Sequence, residues 1–111
     1  MPESAAVIGG GAIGCEFASM LADLGTEVTI LEADERLVPG ADADIAKALQ
    51  RSFKKRGIKT LTGVTAVGHT PLVHETTLQL SDGAEIEVQK IIVCIGTVSY
   101  THLTLPTIYS V

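Results

Sequence analysis

The first 32 residues constrain this chain most, because a short apolar run, a glycine-rich turn and a helical pattern follow one another without a gap. The run Ser4–Ile8 ends in glycines, of which Gly9, Gly11 and Gly14 are spaced as G-x-G-x-x-G. A second apolar run ends in Glu32, close to the spacing of roughly 20 residues at which such units carry an acid. Strand, glycine turn, helix, strand and acid in this order predict a dinucleotide-binding βαβ unit.

Each residue of this unit has a separate physical task. Gly9 permits the tight bend, Gly11 leaves the backbone open to a pyrophosphate, and Gly14 lets the helix pack close to the strand. The helix begins near Ala12 and directs its free N–H groups and the positive end of its dipole toward the turn. Glu32 should accept hydrogen bonds from the adenosine ribose hydroxyls and repel a 2′-phosphate, which favours NAD over NADP.

Two helices are predicted from their apolar spacing. The first ends at Gly25, and the second follows a loop closed by Pro39-Gly40, has Asp42 and Asp44 at its start, and ends at Gly57. The predicted inner face of the first helix consists of Ile13, Phe17, Met20, Leu21 and Leu24. That of the second consists of Ile45, Leu49, Ser52 and Phe53, with the small residues Ala46 and Ala48.

The remaining apolar runs predict strands. Ile58–Leu61 is a short third strand, and Ile91–Ile95, which ends at Gly96, is typical of a buried parallel strand. Between them, apolar and polar residues alternate and Asp82-Gly83 marks a hairpin, so this part predicts an antiparallel meander. The fold class is therefore α/β: a Rossmann-like parallel sheet of about four strands with two helices, whose last crossover is a three-stranded antiparallel meander.

Composition excludes several classes of function. The chain has 111 residues, room for one domain, and a net charge of −5. Most of its few basic residues lie between Lys47 and Lys59, which argues against a nucleic-acid surface and against polybasic membrane contact. No apolar run is long enough to span a bilayer, and none resembles a signal peptide. The default expectation is a soluble cytoplasmic protein.

Neither the cysteines nor the histidines indicate a reactive centre. Cys15 and Cys94 lie far apart in the sequence, form no C-x-x-C pair, and are expected to be small buried residues. The histidines are scattered, so we expect no metal site: they are His69, His74 and His102. No nucleophile-base arrangement or carboxylate pair stands out, so the residues by themselves predict a cofactor-holding domain without catalytic groups.

The last fourteen residues do not fit this plan. Residues 98–111, VSYTHLTLPTIYSV, contain no charged residue and resemble a translated sequencing-library adapter. The domain is accordingly expected to span residues 1–97, and the tail is expected to be an artefact joined to a truncated reading frame. The alternative is a natural strand or tail.

Three segments carry a resemblance to a known family: GGGAIGCEFA, ILEADERLVPG, and the Lys-Lys-Arg-Gly end of the second helix. Over about Pro2 to Gly96 the chain resembles the NAD-binding domain of the flavin-dependent pyridine nucleotide-disulfide oxidoreductases. Within that family it is most similar to the dihydrolipoamide dehydrogenases. Related NADH oxidases and mercuric-reductase-like flavoenzymes are the nearest alternatives.

The resemblance implies a parent enzyme that is larger than this chain. In that parent, dihydrolipoamide gives electrons to a cysteine pair, then to FAD, and finally to NAD as hydride. The FAD and dimerisation domains, the redox cysteine pair and a catalytic histidine have no counterpart here, so the chain is expected to be a fragment that binds NAD and is inactive alone. The parent is expected to be a homodimer and a member of a 2-oxoacid dehydrogenase complex.

The resemblance also assigns an NAD site and places Glu16, which by spacing alone could equally be a surface carboxylate, on the nicotinamide side near the flavin. The implied site residues are Gly9, Gly10, Gly11, Ala12, Ile13, Gly14, Cys15, Glu16, Glu32, Val64 and Gly96. An FAD-binding half is disfavoured, because Glu16 and Pro39-Gly40 match the NAD half. A stand-alone module that senses NADH is the alternative outside enzymes.

Overall fold

The computed structural model describes residues 2–38 and 42–94, together with the backbone of residues 108–110. The elements in chain order are β1 Ser4–Ile8, α1 Ala12–Asp23, β2 Glu27–Glu32, α2 Ala43–Lys55, β3 Lys59–Thr62, β4 Ala66–Pro71, β5 Thr76–Leu80, β6 Glu85–Val88, β7 Lys90–Val93 and β8 Ile108–Ser110. Pro39-Gly40, Gly96 and most of the predicted tail lie outside the described residues.

The strands form two sheets. The larger has the order β3-β2-β1-β7-β8, and every neighbouring pair in it is parallel. The smaller is the antiparallel sheet β4-β5-β6, which lies between β3 and β7 in the sequence. The predicted fold class is confirmed: four parallel strands, two helices and a meander as the last crossover. The short strand β8 adds a fifth strand from residues 98–111, and the origin of that tail stays a prediction.

The parallel sheet is buried on both faces. Ala5 and Val7 of β1 pack with residues of α1 and α2, whereas Ala6 and Ile8 pack with the meander. Because successive side chains of a strand point to opposite faces, a strand covered on both sides must be apolar at every position. This is why Ser4–Ile8 and the run that begins at Ile91 are continuous apolar stretches in the sequence.

The predicted inner face of α1 is wrong for three of its five residues. The buried residues of this helix are Gly14, Cys15, Ala18 and Leu21. Ile13, Met20 and Leu24 are instead 53%, 50% and 57% exposed. A Cβ at Gly14 would lie 1.9 Å from the carbonyl oxygen of Gly9, so α1 lies too close to β1 for large side chains along most of their contact. Ile13, Met20 and Leu24 therefore lie on the outer part of the helix, whereas Leu21 is buried as predicted.

The inner face of α2 also differs from the predicted face. Ala46 and Phe53 are buried and Leu49 is half-buried, whereas Ile45 is 60% exposed. At the other end of the helix, the guanidinium of Arg56 donates to the backbone oxygen of Ser19 and pairs with Asp23 at 2.7 Å. The C-terminal ends of the two helices are thereby joined.

The meander covers the opposite face of the parallel sheet. Its core residues include Leu78, Leu80 and Val88. The Asp82-Gly83 hairpin is confirmed, with Gly83 at φ +89° and the Ala84 N–H donating to the Asp82 carboxylate at 3.0 Å. No helix in the described ranges is both long and apolar enough to cross a membrane.

Candidate functional site

The glycine turn lies where the direction of the sheet reverses. From β1 the chain runs outward through β2 to β3, and it returns only later to β7 on the other side of β1. The N–H of Gly9 continues the ladder to the Leu31 oxygen at 2.8 Å, and the Ile8 oxygen accepts from Cys94 at 2.8 Å. Ligands of open α/β sheets bind in the crevice at such a switch point, beyond the carboxyl ends of the strands.

The start of α1 is open to an external acceptor. Gly11 is the N-cap residue, no side chain caps the helix, and its first turn contains no acid. A Cβ built on Gly11 would meet nothing within 4 Å, so the space beside this backbone is free of described atoms. The first N–H groups of a helix have no partner within the helix, so this end combines unpaired donors with the positive end of the dipole.

Glu32 lies beside the turn, as its position after the second strand predicts. It is buried, and its two oxygens accept from the N–H groups of Gly10 and Asp34, both at 2.7 Å. A carboxylate can accept about four hydrogen bonds, and these two bonds use half of that capacity. The acid therefore fixes the glycine turn from the end of β2.

The loop after β2 makes a contribution that the sequence pattern did not reveal. Leu37 is fully buried, and its Cδ2 lies 2.7 Å from where a Cβ on Gly10 would be. The next residue, Val38, donates its N–H to the Gly10 oxygen at 2.7 Å and has φ +43°. A β-branched residue in this left-handed region is strained, and such strain persists only where surrounding contacts impose it. The one available signal was an apolar pair inside an otherwise polar loop.

The segment after β3 also reaches the end of β2. The N–H of Val64 donates to the backbone oxygen of Glu32 at 3.2 Å. The N–H of Gly63 donates to the backbone oxygen of Asp34 at 2.8 Å. Val64 is half-buried against the core on the meander side. The structure therefore brings Val64 next to Glu32, while Gly96 lies outside the described residues.

The candidate residues of α1 divide between its two sides. Gly14 and Cys15 are buried against β1, whereas Ala12, Ile13 and Glu16 are exposed. Glu16 lies in the second turn of the helix, and its side chain is exposed.

Cys15 supports the turn without being reactive. Its thiol donates to the Gly10 oxygen at 3.4 Å. Burial, then the negative charge of Glu32 and the neighbouring Cys94 thiol, raise the pKa of Cys15 to about 11. Burial likewise raises the pKa of Cys94. Both thiols are thus neutral near pH 7. The prediction of a small buried residue is confirmed for Cys15, whereas Cys94 is only half-buried. Among the described residues, no group of three or more His, Cys, Asp or Glu side chains is arranged to hold a metal.

Comparisons with known proteins agree with this geometry. Residues 1–107 match the family described as pyridine nucleotide-disulphide oxidoreductase. The chain is 41% identical over 104 residues to a dihydrolipoyl dehydrogenase of Zymomonas mobilis, covering 89% of this chain and 22% of that protein. It also resembles the solved HOCl-induced flavoprotein disulfide reductase of Escherichia coli, with a TM-score of 0.76 and 30% identity over 83% of this chain and 21% of the other.

A third comparison concerns the fold alone. The water-forming NADH oxidase of Lactobacillus brevis, solved bound to NADH, superposes with a TM-score of 0.82 at 24% identity. The match covers 98% of this chain and 29% of the oxidase. The chain spans about a fifth of the length of the curated relatives that it matches.

Proposed function

The chain belongs to the pyridine nucleotide-disulphide oxidoreductase family, and from that premise we propose that it is the NAD(H)-binding domain of a flavoprotein disulfide oxidoreductase. The single observation that carries the proposal is the open start of α1. The switch point of the sheet brings together unpaired N–H groups, a glycine with free space beside it, and a buried acid that binds the turn. A pyrophosphate fits this cradle, because it needs donors and close backbone approach.

Each candidate residue has a distinct role in the proposed complex. Gly11 admits the pyrophosphate, and the N–H groups at Ala12 and Ile13 bind it. Glu32 accepts from the adenosine ribose hydroxyls through its remaining acceptor directions, and its negative charge disfavours the 2′-phosphate of NADP. The conformation of the turn itself depends on Gly9, Gly10, Gly14 and Cys15. Val64 and Gly96 are assigned to the site from the family resemblance.

The reaction of the parent is proposed from the curated relatives. Dihydrolipoyl dehydrogenases are similar to this chain over most of its length. In a parent of that kind, FAD would accept electrons from a cysteine pair and pass hydride to NAD, and both the FAD and the pair would be held by parts beyond this chain. Glu16 is accessible on the side that would face the flavin. Homodimer formation and membership of a 2-oxoacid dehydrogenase complex are part of the same proposal.

Ligand titration of the chain tests the binding proposal. We expect NADH to bind with measurable heat, NADPH to bind more weakly, and FAD not to compete. Glu32→Ala should weaken NADH binding by about tenfold or more, the effect of losing charge-assisted hydrogen bonds. Glu16→Ala is the matched carboxylate control and should change NADH affinity little. NADPH binding as tight as NADH binding would contradict the role of Glu32.

Domain exchange tests the proposal about the parent. The corresponding segment of the Zymomonas mobilis dihydrolipoyl dehydrogenase would be replaced by residues 2–94 of this chain. We expect NAD-dependent oxidation of dihydrolipoamide to persist in the exchanged enzyme. A correctly folded, FAD-loaded chimera that cannot reduce NAD would count against the proposal, and NADH-dependent consumption of oxygen in its place would favour the oxidase alternative.

A further inference from the structure

The peptide of Gly10 is held from both of its polar sides by the segment that follows β2. Its N–H donates to the Glu32 carboxylate at 2.7 Å, and its oxygen accepts from the Val38 N–H at 2.7 Å. Leu37 lies directly against the α carbon between these two bonds, since its Cδ2 would be 2.7 Å from a Cβ at Gly10. A side chain at position 10 would therefore have to displace the Leu37 methyl group and press on Glu32.

These contacts decide where the donors of the turn point. Gly10 immediately precedes Gly11, where α1 begins, and a rotation of its peptide would redirect the N–H groups on which an anion depends. Leu37 has no exposed surface, so it does not line the open space beside Gly11. An effect of Leu37 on a ligand in that space would therefore be indirect, and the Gly10 peptide is the part of the turn that Leu37 contacts.

We propose that Leu37 is a positioning residue for the nucleotide site: packed on Gly10, it holds the glycine turn in its binding conformation without touching the cofactor. Val38 contributes through its backbone, because its N–H donates to the Gly10 oxygen at 2.7 Å. The inference rests on the proposed function, since it assigns the site an affinity determinant outside the G-x-G-x-x-G pattern. Preorganised donors bind more tightly because less ordering remains to be done on binding.

Leu78 provides a matched control in the same chain. Both leucines are fully buried, but Leu78 belongs to the core between the parallel sheet and the meander, whereas Leu37 belongs to the core on the helix side. Leu37→Ala and Leu78→Ala remove the same atoms from equally buried positions. A general loss of stability should therefore appear in both variants. A loss of NADH affinity caused by a displaced Gly10 peptide should appear only in Leu37→Ala.

The experiment measures NADH affinity by calorimetric titration of the whole chain at a temperature where each variant is folded. We expect Leu37→Ala to weaken NADH binding by about tenfold, comparable to misaligning one charge-assisted hydrogen bond, and Leu78→Ala to leave it unchanged. Leu37→Met, which conserves volume, should recover most of the affinity. If Leu37→Ala does not fold, Leu37→Met and Leu37→Val are compared with Leu78→Met and Leu78→Val.

Hydrogen exchange of the ligand-free chain supplies a second readout. The Gly10 amide should exchange faster in Leu37→Ala than in Leu78→Ala at equal global stability. Equal NADH affinity in wild type and Leu37→Ala, or equal losses in the two alanine variants, would overturn the inference while leaving the proposed function intact. A wild-type chain that does not bind NADH would instead overturn the proposed function, and the role assigned to Leu37 with it.

Discussion

The two helices begin in opposite electrostatic surroundings, although both pack on the same face of the parallel sheet. The first turn of α1 has no acid, and its N-cap residue is Gly11. The N-cap residue of α2 is Asp42, and its first turn contains Asp44. Both helix starts carry the partial positive charge of the dipole. That of α2 is balanced by its own carboxylates, whereas that of α1 is left for an anion from outside the chain.

At their other ends the two helices are alike. In each helix the C-cap residue is followed by a glycine, and both glycines, Gly25 and Gly57, have positive φ. Arg56 joins these ends through Ser19 and Asp23. Since the Asp23 side chain is largely exposed, this bridge should contribute no more than about 1 kcal/mol. The two helices therefore have similar C-terminal ends, which Arg56 joins, and differ at their N-terminal ends, which face the crevice.

The largest expected effect is a difference in stability between substitutions of Gly14 and Gly11 at the start of α1. Gly14→Ala should lower the free energy of unfolding by about 3 kcal/mol, because its Cβ would overlap the Gly9 oxygen. Gly11→Ala should lower it by about 1 kcal/mol or less, since its Cβ enters open space. Urea denaturation of both variants measures the difference, and similar losses would show that α1 does not depend on close contact with β1.

The next effect has opposite signs for stability and binding. Gly11 has extended backbone dihedrals suited to an N-cap, so Gly11→Asp should cap α1 and leave stability unchanged or raised by a few tenths of a kcal/mol. The added carboxylate would occupy the proposed pyrophosphate position and weaken NADH binding by at least about tenfold. Thermal denaturation and titration together test this pair of effects. Unchanged NADH affinity would mean that the start of α1 is not the anion site.

The stability of the fold is expected to depend on pH through Cys15, whose thiol contacts the glycine turn. The folded-state pKa of Cys15 is raised from 9.0 to about 11, so folding favours the neutral thiol. This contribution to stability is complete below about pH 9 and is lost as the pH rises toward 11. Cys15→Ala should therefore show a smaller loss of stability than wild type across this interval, measured by urea denaturation at each pH. Parallel pH profiles would argue against a buried thiol.

The smallest effect concerns the start of α2. Asp44→Asn should lower the free energy of unfolding by about 0.5 kcal/mol, because it removes a charge that complements the dipole. It should not change NADH affinity, since α2 is not proposed to bind the cofactor. Added salt should reduce the stability difference between Asp44→Asn and wild type. A loss of NADH binding in this variant would remove the distinction between the two helix starts.

Local patterns in the sequence were sufficient for the order of elements and for the glycine turn. Ser4–Ile8 and Gly9 to Gly14 form the strand and turn that their pattern predicts, because a backbone that must bend sharply and approach a helix closely admits only glycine. The position of Glu32 was equally predictable from the end of the second apolar run. These features depend on interactions between residues that are near one another in the sequence.

Helix faces and the support of the turn were not predictable in this way. The stripe containing Ile13, Met20 and Leu24 has good helical spacing, yet it lies outward. Apolar spacing finds a stripe but does not measure the distance between helix and sheet. That distance is set by Gly14 against Gly9, and it selects Ala18 and Cys15 for the interior. Leu37 was missed because an isolated apolar pair in a polar loop has no periodic signal.

The sequence by itself thus determined that this chain forms a βαβ unit with a glycine turn and an acid at the end of β2, since each of these follows from local conformational preference and period. Tertiary structure alone decided which side of α1 is buried, and that Leu37, Val38 and Glu32 together hold Gly10. The physical reason is that close packing and buried hydrogen bonds depend on distances between distant segments, which no local pattern records.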